Sequence, residues 1–109
     1  MMSLSKIYKK IEILKNNWGA LADSLACNAE LRVYDPLSRW ECFVFAINPE
    51  DEDEMACIIN GFDVEVCHWR FSELWARYNA HGEAPTIDRE FRPRNAGEIY
   101  KTLKAKHGW

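Results

Sequence analysis

The Asn60-Gly61 dipeptide, set between apolar residues 55–59 and the run from Phe62 onward, constrains this chain more than any other feature. Asn and Gly tolerate the positive φ angles that both central residues of a type I′ turn need, and the twist of that turn matches the twist of paired strands. A two-residue turn here pairs Ile59 with Phe62 and Cys57 with Val64. Met55, Cys57, Ile59, Phe62, Val64 and Val66 then share the face predicted to meet the core, while Asp63 and Glu65 lie with Ala56, Ile58 and Cys67 on the other. Unless a bulge shifts that register, Cys57 and Cys67 point away from each other.

Periodicity supplies the flanking elements. Leu4, Ile7, Ile11, Leu14 and Trp18 recur at helical spacing, which predicts an amphipathic helix over residues 5–16. Asn16, Asn17 and Gly19 weaken it, and residues 20–29, with Leu21 and Leu25 in phase, form a second short helix or continue the first past a kink. Residues 30–34 alternate charged and apolar up to the Asp35-Pro36 turn, and residues 40–47 are the most apolar strand. Both parities of that strand are apolar (Trp40, Cys42, Val44 and Ala46 against Phe43, Phe45 and Ile47), which marks it as central and covered on both sides, one cover being open to a partner.

Glu50, Asp51, Glu52 and Asp53, followed by Glu54, read as a solvated loop with too much like charge to pack. Ser72 is placed to cap a helix carrying Leu74, Trp75 and Tyr78 and ending near residues 79–82, and residues 87–91 add an edge strand. Asn95 and Glu98 form the Asn variant of a capping box, opening a last helix with Ile99, Leu103 and a terminal Gly108. The predicted fold is α+β: one domain over residues 1–109, with an antiparallel four- or five-stranded meander packed by an N-terminal helix and two C-terminal helical segments.

Composition removes several classes. With 48% hydrophobic residues the chain has enough apolar material for a core, so disorder is excluded. No apolar run approaches the roughly 20 residues that span a bilayer. Lys6, Lys9 and Lys10 interrupt the N-terminal apolar residues, which leaves no signal-peptide core, and the expectation is a soluble cytoplasmic protein with no membrane partner. Cys27, Cys42, Cys57 and Cys67 include no CxxC pair; buried, inert thiols are expected, with Cys67 or His68 plus a distant residue the one metal arrangement left open. No cofactor is called for.

The net charge of −3 conceals a segregation along the chain. Residues 23–65 hold eleven carboxylates against Arg32 and Arg39, the first fifteen residues hold four lysines against Glu12, and residues 89–106 hold six cations against Glu90 and Glu98.

Tyr34-Asp35-Pro36 followed by Trp40, then Ile59-Asn60-Gly61-Phe62 with Glu65, Phe71-Ser72-Glu73-Leu74, and Ile87-Asp88-Arg89-Glu90-Phe91 stand in an order that resembles the bacterial family catalogued as domain of unknown function 2958. The likeness covers roughly residues 30–103. The sequence departs from the family's pattern at residues 80–85, where a Gly-rich stretch is usual, and at Cys67-His68-Trp69. The resemblance implies a small protein of the kind encoded on plasmids and integrating elements, among genes that counter host restriction. It carries over no catalytic residues.

Four constellations are candidates for function. Arg89, Arg92 and Arg94 could bind an anion, oriented by Asp88 or Glu90, against the plainer reading of a solvated edge strand. Trp40, Trp69 and Trp75, with Phe71 and Tyr78, could present an aromatic surface, although such spacings also suit a core. The run Glu50, Asp51, Glu52, Asp53 and Glu54 lacks the spacing of a calcium loop and offers acid to a protein. His68 on an apolar parity reads as a core or rim histidine, and Cys67 beside it points to the opposite face, which excludes a direct nucleophile and base pair. The function expected is a non-enzymatic protein-interaction module using the tryptophans and the acidic run. The alternative is a nucleic-acid-binding accessory protein using Lys6, Lys9, Lys10 and the basic tail, and a third reading, an enzyme, needs Asp88, Arg89 and His68 in one pocket. A second copy of the chain competes as partner for an apolar sheet face.

Overall fold

In the computed structural model, which describes residues 4–36, 40–80 and 85–107, the N-terminal apolar stripe forms α1 (Leu4–Asn17). After it come α2 (Ala20–Asp23), β1 (Asn28–Ala29), β2 (Leu31–Tyr34), β3 (Glu41–Asn48), β4 (Asp51–Asn60), β5 (Val64–Arg70), α3 (Phe71–Ala80), β6 (Thr86–Ile87), β7 (Arg94–Asn95) and α4 (Ala96–Lys106). Gly19 at φ 104° breaks the chain between α1 and α2, a backbone state open to glycine, so the second helical stretch is separate. The side chain of Trp75, and the expected helix stops at Gly82 and Gly108, lie outside the described residues.

Strands β2 to β5 form the expected antiparallel meander, and β6 adds beside β2 to give the order β5-β4-β3-β2-β6. The edge strand expected over residues 87–91 is shorter than that, because Arg89 and Glu90 turn the chain away after β6. β3 is central, and its residues 42–47 are all buried. The ladder to β4 shifts between Val44 and Ala46, so Phe45 is a bulge and the side-chain parity changes there. Phe43, Phe45 and Ala46 join one core cluster with Ile58, Val64 and the α4 residues Ile99 and Leu103. Cys42, Val44 and Ile47 join the other with Met55, Cys57, Leu14 of α1 and Leu74 of α3. Each cluster thus includes helical residues of this chain, and the sheet face expected to be open to a partner carries α4.

The bulge exposes a carbonyl that a sheet neighbour would otherwise satisfy. Asn17, buried at the end of α1, donates from Nδ2 to Phe45 O at 2.9 Å, and Cys27 Sγ lies 3.6 Å from the same oxygen. An asparagine that looks like a helix breaker in the sequence is therefore a plug for the irregular point of the central strand.

The register of the β4–β5 hairpin differs from the two-residue turn. Asn60 pairs with Val64, leaving Gly61, Phe62 and Asp63 as the loop, and Cys57 pairs directly with Cys67. Met55, Cys57 and Ile59 therefore share a face with Cys67, Trp69 and Glu65, while Val66 and His68 lie across from Ile58 and Ala56. Phe62 and Val66, both expected in the core, are exposed. Among the described residues Gly19 alone of the glycines has positive φ, so Gly61 is not there for a type I′ turn. A Cβ at Gly61 would sit 3.2 Å from Trp40 Cδ1, and close approach of that ring is what the glycine allows. Asn60 ties the hairpin to the end of α4, since its Nδ2 donates to Glu41 Oε2 at 2.6 Å and its Oδ1 accepts from His107 Nε2 at 2.9 Å.

The acidic run is not a loop. β4 begins at Asp51, directly after the Pro49-Glu50 turn. Ser72 is not the cap of α3 either: its N–H donates to Asp53 Oδ1 at 2.9 Å and its hydroxyl to Asp53 Oδ2 at 2.5 Å, so a carboxylate from β4 serves the first turn of the helix. The α4 cap is as expected, with Asn95 Oδ1 accepting from Glu98 N at 3.0 Å. β1 and β7 pair just before it, with Asn28 opposite Asn95.

Candidate functional site

The charged segment after β6 is built on Arg32. Its Nε donates to Glu41 Oε1 at 2.8 Å and its Nη1 to Asp88 Oδ2 at 3.0 Å, and the guanidinium lies over the Tyr34 ring at 4.5 Å. Asp88 N donates to Arg32 O at 2.9 Å, extending the β2–β6 ladder by one bond, and Asp88 Oδ1 accepts from Glu90 N at 3.0 Å. The Asp88 carboxylate is thus the peg of a tight turn. Phe91 anchors the exit of that turn on Phe43, with ring centroids 5.7 Å apart.

With Asp88 committed to Arg32, Arg89 and Arg92 project from the turn. They face Lys6 and Lys10 of α1 across an open cleft of about 690 Å³, whose remaining wall is Glu90, Phe91 and Pro93. Lys10 Nζ donates to Glu30 O at 2.9 Å and lies 3.8 Å from Glu30 Oε1. Burial pushes the Glu30 carboxyl up, and Lys10 draws it part of the way back. Arg89 and Arg92 are exposed and, among the described residues, hold no carboxylate. Arg94 lies on the other side of the turn, where with Arg92 and Lys106 it rims a second cleft of about 350 Å³ floored by Phe43, Ile99 and Leu103. The three arginines singled out by sequence therefore serve two clefts, with Arg92 common to both.

The acidic end is wired differently. Arg70 joins Asp51 at 2.9 Å and Asp53 at 3.2 Å, Lys15 of α1 pairs with Glu52, and Glu54 accepts from Asn48 Nδ2 at 3.0 Å with His68 Nδ1 at 3.5 Å. The hydrogen bonds from Ser72, helped by Arg70, hold the Asp53 carboxyl below its usual value. Four of the five carboxylates have intramolecular partners. Glu50 is exposed at the turn.

Trp40 and Trp69 meet edge to face at 5.8 Å, and both pack partly buried against the cluster containing Cys57. Trp69 Nε1 donates to Glu73 Oε2 at 3.1 Å. His68, on the opposite face of β5, is a half-exposed rim histidine lying 5.0 Å from Trp18 by ring centroid. It stands on one edge of the sheet, whereas Asp88 and Arg89 follow the strand at the other edge, four strand spacings or about 19 Å away. The enzyme-like pocket of Asp88, Arg89 and His68 is not formed, and among the described residues no cluster of His, Cys, Asp and Glu has the arrangement of a metal site. No described helix is long and apolar enough to cross a membrane.

The sequence points to Arg89 and Arg92, and it joins them to Lys6 and Lys10 only as the pooled charge of the nucleic-acid alternative, not as walls of one cleft. The lysine-rich opening and the arginine-rich tail are visible there as charge blocks, and only tertiary contact shows that they share a cleft. No family model, curated protein or solved structure matches the chain, so the likeness to domain of unknown function 2958 rests on its ordered motifs alone.

Proposed function

We propose that the chain is a non-enzymatic protein-interaction module that seats an acidic segment of its partner in the cleft of Lys6, Lys10, Arg89 and Arg92. The observation that carries this reading is the convergence of two basic stretches, about eighty positions apart in sequence, on one open cleft in which the arginines hold no carboxylate of their own among the described residues. Phe91 and Pro93 add apolar wall for the side chains between a partner's acids. The working surface thereby moves away from the run at residues 50–54, four of whose five carboxylates are bound within the chain, and from Trp40 and Trp69, which pack partly buried against the core. The family resemblance supplies the biological setting of the proposal, an accessory protein of a mobile element meeting host proteins. Free, mostly buried thiols suit a reducing cytoplasm.

The same convergence favours a second reading, in which the cleft holds the phosphates of a nucleic acid. Four cations limit it: the affinity for a single strand should fall with a log–log salt slope of no more than about −3, a loss of roughly 50-fold between about 50 and 200 mM salt. Titration of a Glu-rich peptide bearing aromatic residues, and separately of single-stranded DNA, at both salt concentrations separates the two. Peptide binding that persists at the higher salt supports the protein reading. DNA binding with the steep slope and no peptide binding replaces it, and binding of neither probe removes the cleft as working surface. Sedimentation at the same concentrations reports whether a second copy of the chain is the partner.

A further inference from the structure

We propose that Cys57 and Cys67 are a site of reversible oxidation, closing to a cross-strand disulfide under a peroxide-class oxidant. The two residues are direct partners in the β4–β5 ladder, and their Sγ atoms lie 3.9 Å apart. Paired residues on antiparallel strands have Cα atoms about 4.5–5.5 Å apart, inside the window that a disulfide spans, so side-chain rotation closes the gap without moving either strand. Exposure assigns the order of events: Cys57 is fully buried, whereas Cys67 on the edge strand is part-exposed and meets the oxidant first.

The Cys67 thiol reacts with hydrogen peroxide to give a sulfenic acid and one water. Cys57 sulfur then attacks Cys67 sulfur; the S–S bond forms, the S–O bond breaks, and the hydroxyl leaves with the Cys57 proton as a second water. Two thiols lose two electrons and two protons, and one peroxide is reduced. The hydrogen bond to Cys57 and burial push the Cys67 thiol up, which keeps it protonated at neutral pH and makes the reaction faster as pH rises. Cys42 shares the core cluster of Cys57 and is the competing thiol, but it is buried and pairs across the ladder with Ile59. The inference is independent of the cationic cleft.

The folded full-length protein is treated with hydrogen peroxide, blocked with N-ethylmaleimide and digested with a protease that cuts after glutamate. Glu41, Glu54 and Glu65 place Cys42, Cys57 and Cys67 on separate peptides. The expected product is monomeric protein lighter by two hydrogens, with the Cys57 and Cys67 peptides linked and released by dithiothreitol. Cys27→Ser should give the same product, and Cys67→Ser, checked for folding by circular dichroism, should give none. A link between Cys42 and Cys57, over-oxidation of Cys67 with Cys57 still a thiol, or a disulfide between two chains would each overturn the proposal.

Discussion

The two ends of α1 meet opposite charges that are used in opposite ways. Near its N-terminus Lys6 and Lys10 line a cleft with Arg89 and Arg92, and nine residues after Lys6, about 14 Å along the axis, Lys15 pairs with Glu52 of the acidic end. The acidic end has the greater charge density in sequence, five carboxylates in succession, yet four of them are bound within the chain. The cationic end is sparser, and its two arginines are uncompensated among the described residues. What marks a surface for a partner is the charge left over after folding, and a run of like charge can be structural when cations from other elements reach it.

The largest effect should come from reversing the cleft. Arg89→Glu with Arg92→Glu is expected to weaken binding of the acidic peptide roughly 10- to 100-fold, because like charge then faces the ligand and each tenfold is about 1.4 kcal/mol. Thermal stability should stay near that of the parent, since neither guanidinium holds a partner among the described residues. Calorimetric titration and a thermal melt on one preparation check both. Lost stability with binding intact would erase the contrast between the two ends.

The acidic end should answer the other way. Asp53→Ala removes the acceptor of the Ser72 N–H and hydroxyl together with one arm of the Arg70 pair, so Tm should drop by several degrees while peptide binding at the cleft is unchanged. The effect carries a pH signature. Asp53 has a folded-state pKa below its unfolded value, so its contribution is fully present above the unfolded pKa and is lost as pH falls through the folded one. Melts taken from pH 7 down to about pH 3 should show the Tm gap between the parent and Asp53→Asn narrowing toward the acid end. A gap that widens would assign the stabilisation to another group.

Element types were legible because they rest on local pattern: the Leu4, Ile7, Ile11, Leu14 stripe, the doubly apolar β3 and the Asn95 cap each formed as their residues dictate. Register was not. Asn60-Gly61 satisfies the rule for a two-residue turn, but the structure uses Asn60 as a tie to Glu41 and His107 and Gly61 as clearance for Trp40, and the loop shifts by enough to bring Cys57 and Cys67 together. The strand at residues 51–54 was hidden for a similar reason. Its repulsion is relieved by Lys15 of α1 and Arg70 of β5, which come from two distant places in the chain. The cleft followed the same logic: Lys10 and Arg89 are neighbours only after α1 has packed.

The smallest effect is the sharpest use of the comparison, because it lies inside the acidic run itself. Glu50 sits in the Pro49-Glu50 turn, its backbone N–H donating to Asn48 Oδ1 at 2.9 Å, while its exposed carboxylate meets no cation among the described residues. Glu50→Gln keeps that backbone bond and removes only the uncompensated charge. Stability should change by less than about 0.5 kcal/mol, the range of ordinary surface substitutions, against a clear loss in Asp53→Ala three positions on. Equilibrium urea unfolding of the two variants beside the parent tests this. If Glu50→Gln lost as much as Asp53→Ala, the run would be acting through its summed charge, and the distinction between compensated and leftover charge would fail within a single stretch of the chain.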